Sequence, residues 1–182
     1  FISTSADIKV KDVNLSNLAP ILRGVCGEMI KVSGMQPDHA RFVTTFRTSD
    51  LIKSYVNGPE LERYSQQGVT TPDHVIRTKN LPLILRLDEN LLLNLRERVR
   101  DAMNHYIDKY DLYFRTQCAA KNVGKTKLDP LPRVVLVPRM GIFGVGRNYN
   151  EASIASDIAE NTIQTITDAE AIGTYSTLSD TD

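Results

Sequence analysis

The feature that most constrains this chain is the segment 133–173, where an apolar run feeds a glycine cluster and then a helix. Arg133-Val134-Val135-Leu136-Val137-Pro138 lacks polar/apolar alternation and reads as a strand covered on both faces. Gly141-Ile142-Phe143-Gly144-Val145-Gly146 follows and reads as a glycine loop. Helical spacing then returns through Ala152, Ile154, Ala155, Ile158, Ala159, Ile163, Ile166 and Ala169, and stops at Gly173. A strand buried on both faces needs a cover on each side, so the chain is expected to form an α/β fold, a layered α/β/α arrangement around a central sheet.

The remaining segments fit that expectation. Leu15–Val32 carries apolar residues at helical spacing, and Ala40–Phe46 is β-branched and aromatic. Thr48-Ser49-Asp50 offers an N-cap for a short helix at Leu51–Val56, and Pro59–Gly68 holds another short helical turn. Val69–Lys79 reads as extended. Pro82 confines the strand in Leu81–Leu87 to a sheet edge or to the residues after it. Glu89–Ala120 has the longest helical pattern, with Tyr106, Tyr110, Tyr113 and Phe114 along one stripe, and Lys121–Pro132 reads as a surface loop. The expected organisation is a helical arm at 1–38, an α/β domain at 39–175 and a linker at 176–182.

At 182 residues the chain has the size of one domain. Twenty-two basic and 22 acidic residues cancel, which provides no electrostatic footprint for nucleic acid or for an anionic membrane. The longest apolar run, Leu91–Leu93, is far short of a span, and the polar start is no signal peptide, so a cytoplasmic location is expected. The start at Phe1 and the polar end fit a piece of a longer polypeptide. Cys26 and Cys118 are too far apart in sequence for a CxxC motif and read as buried or inert thiols.

Two groups of residues could carry chemistry. The glycine loop, with Gly141, Gly144, Gly146 and Arg147, could present amides to a phosphate at the helix start, although its GxxGxG spacing is not a dinucleotide fingerprint. The run Thr71–Lys79 holds Asp73 and His74 as acid–base candidates and Arg77 and Lys79 as phosphate-binding cations. In an extended segment, however, His74 points away from Asp73. His39, His74 and His105 form neither an HxH nor an HxxxH pair, so no metal site is expected. Gly124-Lys125-Thr126 lacks the upstream glycine of a P-loop, and there is no nucleophile elbow.

Thr71-Pro72-Asp73-His74-Val75-Ile76-Arg77-Thr78-Lys79, Asp129-Pro130 and Pro132–Pro138 resemble bifunctional class II aldolase/short-chain dehydrogenases of the rhamnulose-1-phosphate aldolase/alcohol dehydrogenase type. The similar part is the segment between the aldolase head and the dehydrogenase domain, and it covers most of residues 40–174. The resemblance implies a parent that uses a divalent metal and NAD(P), with neither cofactor held by this segment. Partners implied are the remaining domains of the parent chain, with homo-oligomerisation left open. Met140-Gly141-Ile142-Phe143 looks like the family's metal-binding HGLF unit with methionine in the ligand's place, a poor donor for a hard divalent ion. That implies a degenerate class II aldolase-like copy. Tyr106 stands three residues before Lys109, not the four of a dehydrogenase tyrosine–lysine pair. The leading expectation is an auxiliary, non-catalytic domain of such an enzyme in carbohydrate metabolism. The alternatives are a sugar-phosphate or nucleotide binding module at 141–147, or a catalytic domain with His74 as acid or base.

Overall fold

The computed structural model describes residues 14–32, 41–87 and 94–177. The elements run α1 (Leu15–Val32), β1 (Val43–Arg47), α2 (Asp50–Val56), α3 (Leu61–Ser65), α4 (Pro72–Thr78), β2 (Leu83–Ile84), α5 (Leu95–Ala120), β3 (Val134–Val137), β4 (Gly141–Gly146) and α6 (Tyr149–Ile172). The four strands form one sheet in the order β1-β4-β3-β2. β4 pairs antiparallel with both β1 and β3, and β2 lies parallel to β3 at the edge, the place its preceding Pro82 allows.

Each strand divides its side chains between two cores, as the pleat requires. Val135, Val137, Phe143 and Val145 face one core with α1 and α5. Val134, Leu136 and Ile142 face the other with α2, α3 and α6. The expected α/β/α layering is therefore observed, and β3 is covered on both faces: its four residues are at most 6% exposed.

Four expectations change. Leu18, Leu22, Val25 and Cys26 of α1 are fully buried against α5 and the sheet, so the helix expected as an arm belongs to the main core. Residues 72–78, expected extended, are the helix α4. Thr71 at the N-cap, Pro72 at the first helical position and Asp73 in the first turn are helix-start signals, and these outweighed the β-branched residues that follow. Residues 141–146, expected as a loop, are the fully buried strand β4, joined to β3 by the turn 138–140 with Arg139 at φ 69°. The expected surface loop 121–132 is exposed only as far as Leu128; Asp129, Pro130, Leu131 and Pro132 are buried. The start expected for the long helix at Glu89 and the end of the expected linker, 178–182, lie outside the described residues, as does His39.

At Gly144 and Gly146 the glycine of β4 is explained by α6. A Cβ on Gly144 would fall under 3.0 Å from the carbonyl oxygen of Ala152, Ser156 Oγ and Thr45 Oγ1, and one on Gly146 would strike the backbone of Glu151 and Ala152. The helix offers its own small residues there, Ala152 and Ser156, one turn apart and fully buried. Thr45 Oγ1 donates to the Ala152 carbonyl at 3.0 Å and lies 2.7 Å from Ser156 Oγ, which ties β1 to the same face. Arg47, two residues along and on the same side of the strand, pairs with Asp157 and Glu160 of α6.

Candidate functional site

The residues singled out from the sequence do not gather in one place. Asp73 and Arg77 are exposed on α4. His74 is half-buried, and its Nδ1 lies 3.2 Å from Thr70 Oγ1; Asp73, the neighbouring carboxylate, is not its partner. The helical turn between adjacent residues separates the two side chains by about 100°, so no acid–base pair forms. Gly141, Gly144 and Gly146 lie in a strand flanked by partners on both sides, with no amide cradle at the start of α6. That helix start is closed from within: Asn148 accepts from the Glu151 amide at 2.9 Å, and Glu151 accepts from the Arg147 amide at 2.9 Å.

Lys79 and Arg147 do meet, around a carboxylate that sequence reasoning missed. Asp129 is 3% exposed. Its Oδ1 accepts from Arg133 Nη1 at 3.0 Å and from the Leu131 amide at 3.3 Å. Oδ2 accepts from Arg133 Nη2 and, at 3.4 Å, from Arg147 Nη2. Lys79 Nζ donates to the Asp129 carbonyl oxygen and sits 3.8 Å from the centre of the Tyr110 ring. The chain delivers these groups from three directions. Lys79 caps α4 with φ 63°, Asp129 begins the buried 129–132 stretch, and Arg133 and Arg147 adjoin the neighbouring ends of β3 and β4.

Burial drives the Lys79 amine down to about 7, against a partial counter-effect from the Asp129 charge. Burial alone would raise the Asp129 carboxyl, but the hydrogen bonds and charge of Arg133, with Lys79 and Arg147 behind it, hold it below the usual carboxylate range. An amine that titrates near neutrality is a nucleophile or a base by its chemistry. Here it is 3% exposed, hydrogen-bonded to backbone and covered by an aromatic face. The cluster is built as a clamp that joins α4, the 129–133 segment, α5 and the start of α6.

Asp129 to Arg133 is an i, i+4 pair enclosing two prolines and one leucine, a spacing that could have flagged the clamp. The charges around it suggested a solvated loop instead. Among the described residues no group of three His, Cys, Asp or Glu side chains is placed to hold a metal ion. Met140 sits in the β3–β4 turn and packs on the α1/α5 core. Cys26 is buried with its thiol pushed up to about 12 by desolvation, and Cys118 is free and partly exposed. No described helix is long and apolar enough to cross a membrane.

Comparison with known proteins agrees with this architecture. The uncharacterized oxidoreductase YuxG of Bacillus subtilis (strain 168) is 24% identical over 166 residues, which are 90% of this chain and 22% of that protein. The chain therefore spans about a fifth of the curated relative it matches. No solved structure matches it. The family model described as "Aldolase class II, second domain" matches residues 13–182, nearly the whole chain, and the chain belongs to that family.

Proposed function

We propose that this domain is an auxiliary, non-catalytic part of a bifunctional enzyme that cleaves a sugar phosphate and oxidises or reduces the aldehyde product with NAD(P). In this reading it is a degenerate aldolase-like copy that supplies scaffold to the metal-dependent and nicotinamide-dependent domains beside it. The observation that carries the reading is the closure of the Lys79–Asp129–Arg133 cluster: the buried Lys79 amine is taken up by the Asp129 carbonyl oxygen and the Tyr110 ring. The membership of the class II aldolase family and the oxidoreductase relative support the choice of parent.

The test is an assay of aldol cleavage of ketose 1-phosphates, with added divalent metal, and of nicotinamide-dependent aldehyde turnover. It is made on this chain alone and on the full parent polypeptide. Both activities are expected in the parent and neither in the chain. Turnover by the chain that His74→Ala or Lys79→Met abolishes, without loss of folding, would overturn the reading.

A further inference from the structure

β2 is an edge strand, and its outer side is open at one residue. It lies parallel to β3, with the Leu85 amide donating to the Leu136 carbonyl at 2.8 Å. Backbone groups alternate in direction along a strand, so the N–H and C=O of Ile84 point away from β3. Two residues earlier the Pro82 carbonyl points the same way, and Gln66 Nε2 takes it at 3.1 Å. No described group bonds the backbone of Ile84 from the outer side.

That residue lies in a groove of about 320 Å³ between the α3 end and α5. On the α3 side Glu62 already has a cation, Arg86, at 3.1 Å. On the α5 side stand His105 and Lys109, exposed, one turn apart and in no ion pair among the described residues. The acidic residues near them on the helix, Asp101 and Asp108, do not line the groove. Leu83 and Leu85 face the α5 layer and Ile84 the other. In a strand added here, the residue beside Ile84 would point toward α3 and its two neighbours toward α5. Four helical residues rise about 6 Å and two strand residues about 6.6 Å, so acidic side chains at those two flanking positions match the spacing of His105 and Lys109.

The chain itself carries such a sequence, Asp180-Thr181-Asp182, with a β-branched residue between the two acids. It also brings it to the right place. Thr177 Oγ1 donates to the Gln67 carbonyl at 2.6 Å, and the Tyr175 hydroxyl donates to the Gly68 carbonyl at 3.4 Å. Thr177 therefore stands beside the neighbour of Gln66, the residue that lines the groove and holds Pro82. Thr181 is four residues farther, an extended reach of about 13–14 Å. We propose that residues 178–182 add to the sheet beside β2, with Thr181 next to Ile84 and the carboxylates of Asp180 and Asp182 on Lys109 and His105. Entry from the Pro82 side makes the added strand parallel to β2. The Ile84 amide then donates to the Asp180 carbonyl, and the Ile84 carbonyl accepts from the Asp182 amide. The edge that would otherwise offer itself to another chain is covered by this one. The proposal is independent of the scaffold reading, because it requires no reaction and no neighbouring domain.

Amide hydrogen exchange followed by NMR on the whole chain reads the pairing at Ile84. Its amide is expected to exchange about tenfold or more slowly in the wild type than in the double variant Asp180→Lys/Asp182→Lys. Lys109→Ala, at an exposed position, is expected to speed exchange roughly two- to fivefold, the scale of one surface ion pair. Added salt should act in the same direction. Circular dichroism checks that each variant keeps its fold; if the double variant does not, Lys109→Ala and the salt series decide. Equal exchange at Ile84 in the wild type and the variants would overturn the proposal. So would protection that grows with protein concentration, the mark of a second copy on this edge.

Discussion

Replacing Gly144 by alanine is expected to destabilise this domain strongly. The added Cβ would lie under 3.0 Å from Ser156 Oγ, Thr45 Oγ1 and the Ala152 carbonyl oxygen. The first two can rotate, but the third is helix backbone and moves only if α6 retreats, by the order of 1 Å to reach ordinary contact. Overpacking of this kind costs about 1–3 kcal/mol. The retreat also stretches the Thr45 bond to Ala152, now 3.0 Å, and the 2.7 Å Thr45–Ser156 contact, at about 1 kcal/mol each. The sum is about 3–5 kcal/mol against a total stability of about 5–15 kcal/mol for a domain of this kind. Urea unfolding followed by circular dichroism should show the midpoint falling by about 2 M, with an unchanged slope near 2 kcal/mol/M. Gly124→Ala is the control. It sits in an exposed loop with nothing within 4 Å of the added methyl and should shift the midpoint hardly at all. A Gly144→Ala midpoint within about 0.5 M of the wild type, on the same scale, would refute the close-approach account.

The Lys79 amine, lowered from 10.5 to about 7, binds fewer protons in the folded chain than in the unfolded one between those values. Stability from this group therefore rises with pH across that window. Lys79→Met should be at least as stable as the wild type at pH 6 and should flatten the rise by about 2 kcal/mol between pH 7 and 9, read from urea midpoints at each pH; a steeper rise in the variant would contradict the assignment. Arg133→Leu strips Asp129 of its bidentate partner and should cost about 3 kcal/mol by the same assay. Ser65→Ala should raise stability by about 1 kcal/mol, since it deletes an unpaired buried hydroxyl. Asn148→Ala, which removes the α6 cap, should lower the thermal midpoint by a few degrees, equivalent to about 1 kcal/mol.

What could be read from the sequence was what depends on periodicity. α1, α5 and α6 show helical spacing, β3 shows an unbroken apolar run, and Pro82 marks an edge strand; all of these hold in the fold. The helix α4 is announced by local signals, Thr71, Pro72 and Asp73, that outweigh the β-branched residues after them, whereas the strand at 141–146 depends on a tertiary neighbour that local preference does not show. Gly141–Gly146 looked like a loop because glycine suits loops, yet glycine also suits a strand whose neighbour comes too near for a side chain. The neighbour, α6, is visible only once Ala152 and Ser156 are placed opposite Gly144 and Gly146.

The site follows the same logic. In the sequence Lys79 and Arg147 read as cations for a phosphate, and they do converge, but on Asp129, an anion from the chain itself. Fifty residues separate Lys79 from Asp129, and no local pattern links them. The phosphate-cradle reading and the clamp reading use the same positive charges. What distinguishes them is burial: a carboxylate 3% exposed, held by one guanidinium on both oxygens, already provides the negative charge that an incoming phosphate would have to displace. A ligand phosphate at this place would have to break the Asp129–Arg133 pair first, and breaking a buried pair costs about 3–5 kcal/mol before any new bond is made.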